Sequence, residues 1–114
     1  MSGFEVQVVA HPRELGTSAR VYARKKIAHL ARYAPRPVPF ARVKLERMAD
    51  PAVERPAVAE ATLEVSGHPL RAHAAAGQFE EAVDLLEDRL RQQLEHLSSH
   101  LLTRQQRPRE RSTS

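Results

Sequence analysis

One run of basic residues holds the side chains whose types and spacing could do chemistry in this sequence. Between positions 20 and 36 there are six Lys or Arg and no acid. Four members of the run follow each other at steps of four, three and four: Lys25, His29, Arg32 and Arg36. This spacing places them on one face of an α-helix, where cations can bind the phosphates of a nucleic acid. The run therefore predicts a surface for a polyanion, although a solvated helix face would have the same composition.

Two tyrosines accompany this face. Tyr22, Lys26 and Tyr33 lie beside it on the same predicted helix. Aromatic rings can stack on sugars or bases, so the tyrosines could extend a nucleic-acid surface. Simple packing against the helix edge is the alternative, and for each tyrosine taken alone it is favoured.

No motif indicates catalysis. The four glycines are scattered singly and form no phosphate loop, and no serine stands in a nucleophile elbow. His96 and His100 are one helical turn apart, but no acid stands at a matching spacing to complete a metal site. There is no cysteine, which removes disulfides and thiolate ligands. We therefore predict a binding module, not an enzyme, with no cofactor, no metal and no small-molecule substrate.

The composition predicts one domain with a tail. The chain has 114 residues, a net charge of +4 and 41% hydrophobic residues, of which few are aromatic. Residues 103–114 contain four Arg and one Glu and no apolar periodicity, so we predict a domain at 1–102 and a basic disordered tail at 103–114. No stretch is apolar enough for a signal peptide or a membrane span, which predicts a cytoplasmic protein without a membrane partner.

The last helix is the element around which the rest is predicted to pack. Its apolar residues recur at steps of three and four: Phe79, Val83, Leu86, Leu90, Leu94, Leu97 and Leu101. Such a stripe needs an apolar surface of its own length, which one face of an antiparallel sheet provides.

Four stretches alternate between apolar and polar residues and predict that sheet. They pass through Val6 and Val8, through 40–48, through 57–66 and through 70–74, and Ser66-Gly67-His68 predicts a hairpin turn between the last two. The predicted fold is α+β, in the order β-α-β-β-β-α. Two helices would pack on one face of a four-stranded, mostly antiparallel sheet, and the other face would stay polar.

Two helical segments and the strand order carry a resemblance to a known family. The segment at 26–33 (KIAHLARY) has the family's basic, apolar and small residues, its leucine and its later aromatic. The segment at 82–94 (AVDLLEDRLRQQL) has counterparts of its Ala-Ile-Asp, Lys-Leu and Arg-Gln-Leu positions. Over residues 4–100 the chain resembles the ribosome hibernation-promoting factors, also called ribosome-associated inhibitor proteins.

The resemblance implies a double-stranded-RNA-binding-like fold on the small ribosomal subunit. There it would occupy the channel of messenger and transfer RNA and preserve idle bacterial ribosomes in stationary phase or stress, without catalysis. Phosphates of ribosomal RNA would supply much of the affinity. The residues expected to contact them are Lys25, Lys26, His29, Arg32, Arg36, Arg42, Lys44, Arg47, Arg71, Arg89 and Arg91.

The chain departs from the family pattern at several positions. His29 stands where the family has lysine, and Gln92 and His96 stand where it has arginine and lysine. A second interpretation therefore stays open: a divergent paralogue that does not bind RNA and instead binds a protein or pairs as a homodimer. The acidic side of the last helix, the open sheet face, a sheet edge or the apolar pair at 101–102 would then form the contact. The chain could be a short member of the family or a fragment of a long one.

Overall fold

Alternating strands and two amphipathic helices form a two-layer structure. The computed structural model describes residues 5–12, 16–34, 38, 40–65 and 67–112. The elements are β1 (Glu5–His11), α1 (Thr17–Ala28), a 3₁₀ helix (His29–Tyr33), β2 (Phe40–Arg47), β3 (Ala57–Val65), β4 (His68–Ala76) and α2 (Phe79–Ser112). The predicted α+β class and the order β-α-β-β-β-α are confirmed.

The sheet has the strand order β1-β2-β3-β4. β1 and β2 are parallel because the chain crosses between them through α1, whereas the β2–β3 and β3–β4 pairs are antiparallel. The sheet is therefore mostly antiparallel, as predicted. A loop joins β2 to β3, and it is closed by a hydrogen bond from the amide of Met48 to the carbonyl of Pro56 (2.8 Å).

The core lies between one face of the sheet and the two helices. One register row crosses all four strands through Val8, Val43, Ala61 and Ala72, and the last three are buried. Many inward positions are alanine, and such small side chains let helices lie close to a sheet. No polar or charged residue is buried within the described part of the chain.

The predicted apolar stripe of α2 forms the helix side of this core. It is buried from Phe79 to Leu97, and Leu86, Leu90 and Leu94 are fully buried. Each such leucine stabilises the fold by about 1.5–3 kcal/mol relative to an exposed one. The backbone of α2 is helical to Ser112, beyond Leu102 where the apolar periodicity ends. The division into a 1–102 domain and a disordered 103–114 tail stays a prediction.

The first helix is shorter than its periodicity indicated. The predicted basic face from Lys25 to Arg36 required one continuous α-helix through residues 25–36. The α-helix ends at Ala28, and a 3₁₀ helix continues to Tyr33. Leu30 is buried nonetheless, while Ala34 is partly buried with an extended backbone (ψ 130°). The residue before a proline disfavours helical angles, and Ala34 precedes Pro35.

The predicted hairpin turn joins β3 to β4. Val65 pairs with His68, and Gly67 has φ 78°, a left-handed conformation that glycine adopts without a steric penalty. Ser66, the other predicted turn residue, lies outside the described residues.

Candidate nucleic-acid interface

Three predicted contact residues lie on the side of the first helix that faces away from the sheet. Lys25, His29 and Arg32 are exposed, opposite the buried stripe of Ala23 and Ile27. We call these three residues the outer basic face. In the part of the chain that the structure describes, none of the three has a hydrogen-bond or ion-pair partner. The two cationic groups and the imidazole are therefore available for phosphates. Arg36, the fourth predicted member of this face, lies outside the described residues.

Lys26 lies on a different side of α1, against α2. Its Nζ is 3.7 Å from Asp84 Oδ1 and 3.7 Å from Glu87 Oε1. The Tyr22 hydroxyl donates a 2.6 Å hydrogen bond to Asp84, and Lys26 Nζ lies 5.5 Å from the centre of the Tyr22 ring. The charge of Glu87, followed by Tyr22, raises the pKa of Lys26. Lys26 is thus already paired within the protein.

The second tyrosine makes a similar contact further along the helices. The guanidinium of Arg91 lies 5.9 Å from the centre of the Tyr33 ring, and Arg91 Nη2 is 3.5 Å from Asp88 Oδ1. Hydrogen bonding with Tyr33, followed by the charge of Asp88, raises the pKa of Arg91. The sequence left two roles open for the tyrosines, and packing against the helix edge was favoured for each taken alone. Both rings pack against the core beside α2, in agreement with that alternative.

The open face of the sheet holds a second group of predicted residues. Arg42, Lys44 and Arg71 are exposed there, on the side opposite the helices. Lys44 lies 3.8 Å from Glu46, and Arg71 donates two hydrogen bonds to Glu60 (3.1 and 3.2 Å). These pairs leave Arg42 as the member of this group without a partner among the described residues. The predicted contact residues therefore do not share one surface.

The remaining two predicted cations have structural contacts. The guanidinium of Arg47 lies 5.0 Å from the centre of the Phe79 ring, where α2 begins. Arg89 donates a hydrogen bond to the carbonyl of His73 on β4. Both residues keep their charge and their exposure, but each is positioned by the fold.

Basic and glutamine side chains cap carbonyl groups at both edges of the sheet. Arg24 of α1 reaches the carbonyl of Val6 on β1 at 3.5 Å, the long end of the hydrogen-bond range. On β4, Gln93 donates to the carbonyl of Arg71 at 3.0 Å, beside the Arg89 contact with His73. The sequence analysis gave neither Arg24 nor Gln93 this role. Arg89 and Gln93 lie one helical turn apart on the flank of the apolar stripe. This spacing is the signal in the sequence that could have indicated their contacts with the β4 carbonyls.

The outer side of α2 is acidic. Glu81, Asp88 and Glu95 are exposed along it, and Asp84, at its edge, pairs with Tyr22 and Lys26 of α1. A polyanion would be repelled there and attracted by the neighbouring outer basic face. The molecule therefore presents opposite charges on its two helices.

The described residues form neither a metal cluster nor a membrane-spanning helix. No three His, Cys, Asp or Glu side chains lie close enough to hold a metal ion, so the His96–His100 pair has no third ligand there. No helix in that part of the chain has the length and apolar character to cross a membrane.

The family of this chain follows from its sequence. Residues 6–101 match the model of the family described as Sigma 54 modulation protein / S30EA ribosomal protein. The chain belongs to this family. Its members are ribosome-associated modulation factors and the family is not an enzyme family, so the predicted resemblance is confirmed. No curated protein matches the chain by sequence.

Solved structures agree with the S30EA assignment. The N-terminal domain of Protein Y from Thermus thermophilus has a TM-score of 0.64 and 25% identity, over 80% of this chain and 94% of that one. A ribosomal subunit interface protein from Coxiella burnetii has a TM-score of 0.66 over 83% of this chain and 98% of that one. At 18% identity, the second likeness concerns the fold.

Proposed function

We propose that this protein binds the small ribosomal subunit through phosphates of ribosomal RNA and blocks the channel of messenger and transfer RNA. The observation that carries the proposal is the S30EA family match over residues 6–101. The mechanism is occupancy, and it needs no catalytic group. It would preserve idle ribosomes in the cytoplasm of stressed or stationary cells.

The outer basic face is the part of the surface that best fits this role. Lys25, His29 and Arg32 are exposed and have no partner among the described residues, so binding RNA costs no internal ion pair. Lys26 and Arg91 would first have to leave their acidic partners. Arg42 could add a contact only from the open sheet face. We therefore assign the principal phosphate contacts to the outer basic face.

Sedimentation of the protein with small ribosomal subunits tests this assignment. Binding should fall steeply with salt, because each neutralised phosphate releases a counterion. Arg32→Glu should weaken binding at low salt by about tenfold or more, because it replaces an attraction by a repulsion. The matched control is Arg55→Glu, which makes the same charge change in the exposed loop between β2 and β3.

The two variants distinguish a loss of binding caused by the outer basic face from a loss caused by the lower net charge of the whole protein. Equal losses for Arg32→Glu and Arg55→Glu would contradict the assignment of the outer basic face. Lys26 is not a suitable test residue, because a glutamate there would face Asp84 and Glu87 and would disturb the helix packing. Melting temperatures of both variants should stay close to that of the wild type.

A divergent paralogue that binds a protein is the second candidate. The acidic outer side of α2 is the observation that favours it, since a basic protein surface could bind there. The capped carbonyls at both sheet edges weigh against a homodimer that pairs through an edge. Absence of co-sedimentation even at low salt, together with a mass that rises with concentration, would favour this candidate.

A further inference from the structure

The open face of the sheet carries an exposed aromatic ring at one end. Phe40, the first residue of β2, is 50% exposed. It lies beside a depression of about 320 Å³, which Pro69 of β4 and residues 62–64 of β3 help to line. Aromatic residues are enriched where proteins contact one another, so this end of the open face is a candidate contact surface.

Four side chains around the depression form a two-by-two block. Arg42 pairs with Thr62 in the register of β2 and β3, and the same antiparallel register places Phe40 beside Glu64. Strand alternation directs all four side chains to the open face. Arg42 and Glu64 therefore occupy one diagonal of the block, and the two uncharged residues occupy the other.

The two charges of this block have no partner in the part of the chain that the structure describes. Arg42 and Glu64 are both exposed, and no ion pair or hydrogen bond joins either of them to another described residue. The neighbouring diagonal differs, because Arg71 of β4 contacts Glu60 of β3 at 3.1 Å. The block thus presents one positive and one negative charge to an outside partner.

A two-fold axis along the uncharged diagonal makes the block complementary to itself. In a symmetric contact between two facing sheets, a residue on the axis meets its own copy, and residues on either side of the axis exchange partners. Phe40 then stacks on Phe40 of the second copy. Arg42 faces Glu64 of the second copy, and the reciprocal ion pair forms as well. The charges therefore favour a second copy of this chain as the occupant of this surface.

We propose that two copies of this protein associate through the open faces of their sheets, with Phe40 on the axis and two Arg42–Glu64 ion pairs beside it. Facing sheets lie about 10 Å apart, a distance that Arg and Glu side chains can bridge together. The open face covers roughly 400 Å² in projection, which is half of what one partner of a stable complex buries, so the dimer is weak. The outer basic face lies on the helix side and stays free. The inference therefore goes beyond the proposed function and does not depend on it.

Sedimentation equilibrium of the protein alone tests the inference. We expect the average mass of the wild type to rise from one chain towards two between about 10 µM and about 1 mM. Arg42→Glu should weaken the association by about tenfold or more, because the symmetry turns both ion pairs into repulsions. Glu64→Arg should weaken it by a similar factor. The double variant Arg42→Glu, Glu64→Arg should restore it, since both ion pairs form again with their charges exchanged.

Two further variants test the axis and the net charge. Phe40→Ala should weaken the association, because the ring contact on the axis is lost. Arg55→Glu is the matched control, since it makes the same charge change as Arg42→Glu in the exposed loop between β2 and β3. It should associate like the wild type. Melting temperatures show that each variant is folded.

The inference fails if the wild type keeps the mass of one chain at the highest concentration. It also fails if Arg42→Glu associates as strongly as the wild type or loses no more than Arg55→Glu. A double charge exchange that associates no better than the single variants would likewise overturn it. Because no ribosome takes part in this measurement, a negative result leaves the proposed function as it stands, and a failure of ribosome binding leaves the dimer as it stands.

Discussion

A cation contributes to RNA binding according to the contacts it already has. Lys25 and Lys26 are neighbours in sequence, but Lys25 is exposed without a partner while Lys26 is within 3.7 Å of two carboxylates. Exposed ion pairs stabilise a fold only modestly, yet a phosphate must compete with them. Among the described residues, Lys25 and Arg32 are therefore better suited to RNA than Lys26 and Arg91.

Gly67 gives a prediction at the residue scale. Its φ of 78° is unfavourable for a residue with a Cβ atom, although no heavy atom lies within 4 Å of the place a Cβ would take. Gly67→Ala should therefore lower the free energy of unfolding by about 1–2 kcal/mol through backbone strain alone. Gly77→Ala is the control, since Gly77 has no such φ and its nearest contact would be 3.9 Å away. Urea unfolding of both variants measures the difference, and equal stabilities would contradict the strained turn.

At the scale of elements, α1 and α2 are joined by a polar seam above the apolar core. The contacting residues follow the same order along both helices: Tyr22 contacts Asp84, Lys26 contacts Glu87, and Tyr33 contacts Arg91. The helices therefore run in the same direction. The seam fixes their relative position, and with it the separation of the outer basic face from the acidic side of α2.

This seam should weaken in alkali. The hydrogen bond to Asp84, followed by burial, raises the pKa of Tyr22 above its ordinary value of 10.0. A raised pKa means that the fold favours the neutral phenol, so its contribution is complete below pH 10 and is lost as the pH rises through the raised value. The difference in stability between the wild type and Tyr22→Phe should thus be constant from pH 7 to 9 and shrink above pH 10. Thermal unfolding across this range measures it.

A matched variant shows whether the effect belongs to this pair. Tyr33→Phe leaves the Tyr22–Asp84 hydrogen bond intact, so it should retain the alkaline loss that Tyr22→Phe lacks. If the difference in stability between the wild type and Tyr22→Phe stays constant up to pH 11, this hydrogen bond does not depend on the neutral phenol.

At the scale of the whole molecule, alanines set the distance between the two layers. Ala57, Ala59 and Ala61 of β3 are fully buried beneath the helices, and Ala74 of β4 is nearly so. A core with few aromatic residues fills its volume by close approach of helices and sheet. The sheet can then keep a polar open face, because one covered face supplies the core.

Larger side chains on the covered face should force the layers apart. Ala61→Leu should lower the free energy of unfolding by about 1–3 kcal/mol, because the inserted methyl groups have no space. Ala75→Leu is the control, since Ala75 faces the open side of the sheet and is only partly buried. Denaturant unfolding compares them, and a loss of the same size in both would mean that layer spacing is not what Ala61 determines.

The sequence by itself determined the order of the elements and the faces that the strands and α2 bury, and its residues indicated the family. Burial repeats every two residues in the strands and every three or four residues in α2. The core residues could therefore be identified from the local pattern of apolar residues in the sequence. Only the tertiary structure decided which cations are available. Lys26 and Arg91 meet acids or tyrosines of the other helix, and Arg89 meets a carbonyl of β4, because helix packing brings together residues far apart in the chain.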